Sequence, residues 1–214
     1  TDGDAPIIQG SIEIYEMPSG FTLQGLRILA DAPDENALYL EYNKGLLKLI
    51  DLTITNTSGY GAEIYHAGSV EMLRVDVSHN YLDGMTLDTC GWDVYWEGCP
   101  VSGTTKITDS TFSYNGTNDL DRTGDTINSV GLYLYTRNPV TINGFSAINN
   151  IGDGFDLEAY GGAVTIKNAV MMNTTVSGTD SDWGYGLWVY EESFSNITLE
   201  NVAATGNAND GLYI

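Results

Sequence analysis

The sequence has little positive charge. It holds 8 lysines and arginines against 29 aspartates and glutamates, a formal net charge of −21. Proteins that bind nucleic acids cluster basic residues on one face, so this composition excludes nucleic acid as a partner. An acidic surface also repels anionic membranes, and polyanionic substrates unless a cation intervenes. The charge is typical of a secreted soluble protein, with divalent-cation binding or a salty habitat as the alternative.

Long apolar runs and cysteines are equally scarce. No run approaches the 18 residues that a membrane span requires, so we predict no membrane insertion. The two cysteines, Cys90 and Cys99, each have a glycine beside them and enclose eight residues. This spacing predicts a disulfide, and two unpaired thiols are the alternative. A disulfide indicates export, so we predict an extracellular or cell-surface location, with a leader removed or never included.

A five-residue phrase recurs along the whole chain. It consists of a small residue, an apolar residue, any residue, an apolar residue and often an acidic or aromatic one. The copies are Ser11–Tyr15, Ala37–Glu41, Gly61–Tyr65, Gly84–Asp88, Gly131–Tyr135, Gly154–Glu158, Gly186–Tyr190 and Gly211–Ile214. They start 26, 24, 23, 47, 23, 32 and 25 residues apart. A strand-type pattern with a period near 24 predicts a solenoid of stacked coils.

A second phrase follows about 12 residues after the first. It reads apolar-x-Asp/Asn-x-x-apolar-x-apolar and closes on an asparagine. These asparagines are predicted to form a ladder between coils, with His79 substituting near it: Asn56, Asn80, Asn115, Asn150, Asn173 and Asn207. Such ladders bond side-chain amides from one coil to the next and satisfy the backbone of the turns.

The alternation of these two phrases resembles the right-handed parallel β-helix family, of the generic bacterial type. The resemblance covers essentially the whole chain. It implies an all-β fold of about seven to eight coils of about 24 residues with loop insertions, forming one domain over residues 1–214. That fold hosts lyases, hydrolases, adhesins and structural proteins, so the resemblance leaves the activity open.

Insertions interrupt the repeat at three places. The 47-residue step holds one coil with two insertions, the Cys90–Cys99 loop and residues 116–128, and the 32-residue step holds a third at 174–185. The last two are predicted to leave the solenoid at the same corner. They carry five aspartates that form a candidate calcium site: Asp119, Asp121, Asp125, Asp180 and Asp182. The alternative is a pair of solvated acidic loops.

The outward positions of the first phrase are rich in aromatic and acidic residues. Tyr133, Tyr135, Trp188 and Tyr190 are predicted to form a glycan-binding strip, because sugar rings stack on aromatic faces. The alternative is that these rings only protect the sheet surface by cross-strand pairing, which aromatic residues on strands favour.

A catalytic use of the same face is the alternative to binding alone. Asp156 and Glu158 share one face of one strand, about 7 Å apart, and Asp88 lies two coils away. A separation of about 6.5–9.5 Å suits the acid and base of an inverting glycosidase. The sequence lacks the basic catalytic residue of the lyases on the first-strand phrases, and the Asn-x-Asp, Gly-His-Gly and Arg-x-Lys motifs of the polygalacturonase-like hydrolases.

We therefore predict a non-catalytic extracellular or cell-surface module of structural or adhesive type that binds glycan. Its expected partners are copies of itself, stacked end to end into filaments, or flanking β-helix coils, because open solenoid ends template further pairing. No cofactor beyond the candidate calcium is expected. The alternative is a polysaccharide-degrading enzyme, a glycoside hydrolase or lyase, that acts on the outward face of the first sheet.

Overall fold

The computed structural model describes residues 5–30, 35–90, 103–116, 129–176, 183–193 and 196–214. These residues form strands, turns and bends, without a helix. In chain order the strands are β1 (Ile7–Gln9), β2 (Ile12–Tyr15), β3 (Phe21–Gln24), β4 (Arg27–Leu29), β5 (Leu38–Thr55), β6 (Ala62–Ser78), β7 (Met85–Asp88), β8 (Thr105–Thr111), β9 (Leu132–Thr136), β10 (Val140–Ile148), β11 (Phe155–Tyr160), β12 (Val164–Met172), β13 (Leu187–Ser193), β14 (Ile197–Thr205) and β15 (Leu212–Tyr213).

The strands stack in parallel, each on its own counterpart one coil away. The first phrase forms a ladder in the order β2, β5, β6, β7, β9, β11, β13, β15. Met85 pairs directly with Leu132, so the 47-residue step is one coil, as predicted. The second phrase forms a ladder through β6, β8, β10, β12 and β14. The predicted parallel β-helix is thereby confirmed.

Alternation along the strands builds the core. Successive side chains of a strand point to opposite faces, and one face looks into the coil. In β9, Leu132 and Leu134 are fully buried, whereas Tyr133 and Tyr135 retain exposure. The other strands of this ladder place their apolar side chains in the same two columns. Stacking therefore joins these residues into one continuous apolar core.

Each second-phrase strand bends once, at the third position of the phrase, which is Asp or Asn in most copies. Asp109, Asn168 and Asn201 have φ values of 48°, 52° and 54° there. Aspartate and asparagine tolerate this left-handed conformation better than most residues. In β10 the equivalent residue is Gly144, and it separates the buried pair Val140 and Ile142 from the buried pair Phe145 and Ala147. The bend thus lets one phrase supply two sides of the coil.

The asparagine ladder is present, but two of its predicted members are wrong. The backbone N–H of Asn80 donates to Oδ1 of Asn115 at 3.1 Å, and that of Asn115 to Oδ1 of Asn150 at 2.9 Å. In two other coils the ladder position is held by Thr57 and Thr174. Asn56 and Asn173 each come one residue before it.

Asn56 and Asn173 instead occupy the left-handed position next to the ladder, with φ values of 58° and 55°. His79 shares this position, with φ 61°, and Asn80 is the ladder residue of that coil. Asparagine suits both positions, because it tolerates positive φ and also bonds the backbone of the turn. The sequence pattern therefore could not separate them.

The glycines that open the first phrase permit close packing between coils. A Cβ at Gly84 would clash with the carbonyl oxygen of Gly131 and with the side-chain amide of Asn115. The N–H of Gly84 donates to the carbonyl of Val130 at 2.8 Å. Small residues at this position therefore keep the asparagine ladder and the first strand in contact.

Apolar side chains are uncovered at both ends of the described stack. Ile7 is 50% exposed, Leu212 43% and Ile214 66%. Leu212 continues a column that is fully buried in the middle coils, whereas Ile7 pairs with Arg27 on the outward face. The expected contact with flanking coils or with a second copy stays a prediction.

We predict that Asn115→Ala lowers the free energy of unfolding by about 1–3 kcal/mol, because it leaves buried polar groups of the neighbouring coils without partners. Asn115 donates to the carbonyl of Val77 and accepts from both nitrogens of Asn80. Urea denaturation followed by circular dichroism measures the change. Asn56→Gly is the matched control, since Asn56 is exposed and glycine accepts its positive φ. Equal destabilisation by both variants would contradict the assigned ladder.

Candidate functional site

The outward face of the first-phrase strands carries two columns of polar and aromatic side chains. In the middle of the stack, Asp156 of β11 pairs with Tyr133 of β9 and with Trp188 of β13. In the neighbouring column, Glu158 pairs with Tyr135 and Tyr190. The structure thus brings together the four aromatic residues and two of the three carboxylates that the sequence singled out.

Near the start of the chain, one irregularity interrupts the outward column to which Glu158 belongs. The pairing of β5 with β6 shifts between Leu40 and Asn43, where β5 holds one extra residue. Tyr42 lies in this bulge with φ 56°. Glu41 therefore does not pair with Tyr65, and the second outward column is continuous only from Tyr65 onward.

The aromatic side chains of this face contact one another. The rings of Trp188 and Tyr190 lie 7° from parallel with centroids 5.7 Å apart. Tyr160 bridges the strands, with its ring 6.2 Å from Tyr190 and 5.0 Å from Tyr135. We call Tyr133, Tyr135, Tyr160, Trp188 and Tyr190 the aromatic strip. The sequence analysis missed Tyr160, although strand alternation from Glu158 places it on the same face.

Two tyrosines of the aromatic strip hold Glu158 in place. The hydroxyl groups of Tyr133 and Tyr160 each donate to one carboxylate oxygen of Glu158 at 2.9 Å. Hydrogen bonds to a charged acceptor are stronger than those between neutral groups. Glu158 is therefore a fixed acceptor at the centre of the strip.

Asp156 lies beside it in a different environment. The residue is 8% exposed, and its Oδ1 has no hydrogen-bond partner. Burial, together with the charges of Asp153, Glu158 and Asp83, raises the pKa of Asp156 to about 8. Burial disfavours the ionised form of a carboxyl, and nearby carboxylates disfavour it further. Asp156 therefore holds its proton to a higher pH than an exposed aspartate does.

Asp83 and Asp153 support the turns that lead into the strands, and the sequence analysis missed both. Asp83 accepts the N–H of Val130 at 2.8 Å, and Asp153 accepts the N–H groups of Gly184 and Tyr185 at 2.8 Å. Burial is the main cause that raises the pKa of Asp83 to about 7 and that of Asp153 to about 6. The signal in the sequence was an Asp-Gly pair before Met85, Phe155 and Leu212.

Asp88, the third carboxylate that the sequence singled out, belongs to the same outward column as Glu158. It lies two strands away from Glu158, with Tyr135 between them. Its Oδ1 accepts the N–H of Cys90 at 2.7 Å, and the residue is buried. Asp88 is placed to shape the turn after β7, and the catalytic role suggested for it stays a prediction.

Several predicted features fall outside the described residues. The candidate calcium ligands Asp119, Asp121, Asp125, Asp180 and Asp182 all lie there, as does Cys99. The disulfide with the buried Cys90 therefore stays a prediction. Within the described ranges, no group of three or more His, Cys, Asp or Glu side chains is arranged to hold a metal ion. Across the same ranges, no helix is long and apolar enough to cross a membrane.

Comparison with known proteins places the chain in a family. The model of the family "Right handed beta helix region" matches residues 36–214, and the chain belongs to that family. Among solved structures, the crystal structure of pectate lyase Pel9A is similar, with a TM-score of 0.55 and 17% sequence identity. The match covers 94% of this chain and 55% of the lyase, so this chain spans about half the length of that protein. No curated protein matches the chain.

We predict that the protein loses stability as the pH rises from 5 to 8. The pKa of Asp156 is raised from 3.8 to about 8 in the folded state, so the folded state binds a proton that the unfolded state has released. Stability therefore falls as the pH rises through this window. Asp83 and Asp153 act in the same direction.

Asp156→Asn should flatten this dependence, because the amide cannot ionise. We expect this variant to raise the free energy of unfolding at pH 8 by a few kcal/mol, since each pKa unit corresponds to about 1.4 kcal/mol. At pH 5 the free energy of unfolding should change little. Urea denaturation at both pH values measures it. Asp109→Asn, which changes an exposed aspartate at a second-phrase bend, is the control. A pH profile that Asp156→Asn leaves unaltered would refute the assignment.

Proposed function

We propose that this chain is a non-catalytic, extracellular β-helix module that binds polysaccharide along the aromatic strip. The observation that carries the proposal is the continuity of the strip across β9, β11 and β13, where successive rings lie 5.0–6.2 Å apart. Aromatic side chains combine a flat apolar face with a polar edge, which suits the apolar and hydroxyl-bearing faces of sugars. Strands about 4.8 Å apart present such rings at regular intervals along a chain of sugars.

The carboxyl groups around the strip support binding in preference to catalysis. Asp83, Asp88 and Asp153 each accept backbone N–H groups of a turn at Oδ1, so that oxygen is already used for structure. Glu158 is held by two tyrosine hydroxyls. A carboxylate fixed in this way is a ready acceptor for a sugar hydroxyl group.

The predicted setting of the module is part of the same proposal. The paired cysteines expected at Cys90 and Cys99 would suit an oxidising compartment. The acidic composition keeps the surface soluble there. Contact with copies of the chain or with flanking coils is the expected use of the apolar side chains exposed at Leu212 and Ile214.

We expect Trp188→Ala and Tyr190→Ala each to weaken polysaccharide binding by about tenfold or more, because each removes a stacking face of the strip. A panel of immobilised soluble polysaccharides, followed by calorimetry on those retained, measures the loss. Tyr81→Ala is the control, since Tyr81 is an exposed tyrosine that lies outside the strip, in the turn after β6. Unchanged retention of every bound polysaccharide by both strip variants would rule out the strip as the binding surface.

A second candidate function is glycoside hydrolysis, and the state of Asp156 favours it. A carboxyl that keeps its proton near neutral pH serves as a general acid, and Glu158 on the same strand would serve as the base. Residues two apart on a strand lie about 7 Å apart, which leaves room for the attacking water of an inverting enzyme.

This second candidate predicts release of reducing sugars from a polysaccharide that the strip binds. Asp156→Asn and Glu158→Gln should each reduce turnover by at least about a hundredfold, because each removes a proton-transfer group. A reducing-end assay on the retained polysaccharides measures it, with Trp188→Ala as a variant that weakens binding but keeps both carboxyls. Retention without any release would leave the binding module as the function.

A further inference from the structure

We propose that the ligand of the aromatic strip is a cationic polysaccharide, one whose sugars carry free ammonium groups, and that Asp156 receives an ammonium. This inference rests on the proposed function and specifies its ligand class. The proposed ligand is opposite in charge to a uronate polymer, which would bring negative charge to the strip. The basis is a group of four carboxyl residues, Asp83, Asp153, Asp156 and Glu158, which we call the acidic patch.

Among the described residues, the charged groups that act on Asp156 are all acidic. The charged groups that perturb Asp156 are Asp153, Glu158 and Asp83, and all three are carboxylates that raise its pKa. Among described basic residues, Lys48, Arg74 and Lys167 form ion pairs with Glu71, Asp51 and Glu200 on the second-phrase strands. Arg137 lies one residue beyond the end of β9. A cation bound at the patch would therefore relieve repulsion among carboxyl groups.

Asp156 also supplies an unused hydrogen-bonding atom at this place. The residue is 8% exposed, and its buried Oδ1 has no hydrogen-bond partner. An unpaired buried polar atom is costly, and structures satisfy most of them. An ammonium group has three donors and no acceptor, and its positive charge favours the ionised form of a carboxyl, so its binding would release the proton that Asp156 otherwise holds. The orphaned oxygen therefore points to a ligand with N–H donors.

The aromatic strip brings a sugar to Asp156. Trp188 lies next to Asp156 on the adjacent strand, and Tyr133 on the other side. Adjacent strands are about 4.8 Å apart, which is within the reach of a substituent on a sugar ring stacked over Trp188. Aromatic faces also attract cations directly. The same juxtaposition disfavours a uronate, whose carboxylate would lie against the acidic patch.

The test is calorimetry on the intact chain with three probes of similar length. They are a β-1,4-linked glucosamine hexamer, the same hexamer fully N-acetylated, and a hexamer of galacturonate, at pH 6 and low salt. We expect the glucosamine hexamer to bind about tenfold or more tightly than its acetylated form, since acetylation removes the charge-assisted contact. Galacturonate should not bind. Added salt should weaken glucosamine binding and spare the acetylated hexamer.

Two variants assign the effect to the acidic patch. Asp156→Asn should reduce glucosamine binding by about tenfold and leave the acetylated hexamer unchanged, because only the charged ligand uses the carboxyl. Asp109→Asn, in an exposed bend on another side of the coil, should alter neither. Circular dichroism of both variants confirms that they are folded.

The outcomes separate this inference from the proposed function. Equal binding of the charged and the acetylated hexamers, lost in Trp188→Ala, would overturn the cationic ligand and leave the polysaccharide-binding strip standing. Preferential binding of galacturonate would also overturn it. Failure of these hexamers and of all polysaccharides in the panel to bind would remove both the inference and the proposed function.

Discussion

Pairing between neighbouring coils is the constraint on which the rest of this structure depends. Each short strand has its backbone partners only in the coils above and below, and residues such as Met85, Leu132 and Phe155 must stand one over another. A residue that suits one coil therefore has to suit the same position in the next. This explains why small, apolar and asparagine positions repeat, and why a Cβ at Gly84 would clash with both Gly131 and Asn115 of the next coil.

The same constraint leaves the outward positions free to vary, and the candidate site lies there. Inward positions must fill a core of constant width, whereas outward positions need only fit their neighbours on the sheet. In the middle of the stack they hold rings in mutual contact and a buried carboxyl without a partner at Oδ1. Burial and the neighbouring carboxylates raise the pKa of Asp156 there, and such a perturbed group on an exposed face marks a candidate functional site.

The sequence predicted the fold well and the site in part. It identified Trp188, Tyr190, Asp156 and Glu158 as members of one face, because alternation within a strand decides which residues share it. It missed Asp83 and Asp153, whose partners Val130 and Tyr185 belong to the next coil of the stack. These hydrogen bonds join turns that are far apart in sequence. The local sequence pattern does not indicate which turns come into contact.

The sequence by itself determined the period, the two inward columns and the composition of the outward face, since these follow from strand alternation and from a repeat that must stack on itself. Only the tertiary structure decided which polar atoms have hydrogen-bond partners and which have none. Asn56 and Asn115 look alike in sequence, yet one is exposed and the other is a buried ladder residue. Likewise, Asp153 has donors and Oδ1 of Asp156 has none, because hydrogen-bond partners come from turns and coils that meet only after the chain has wound.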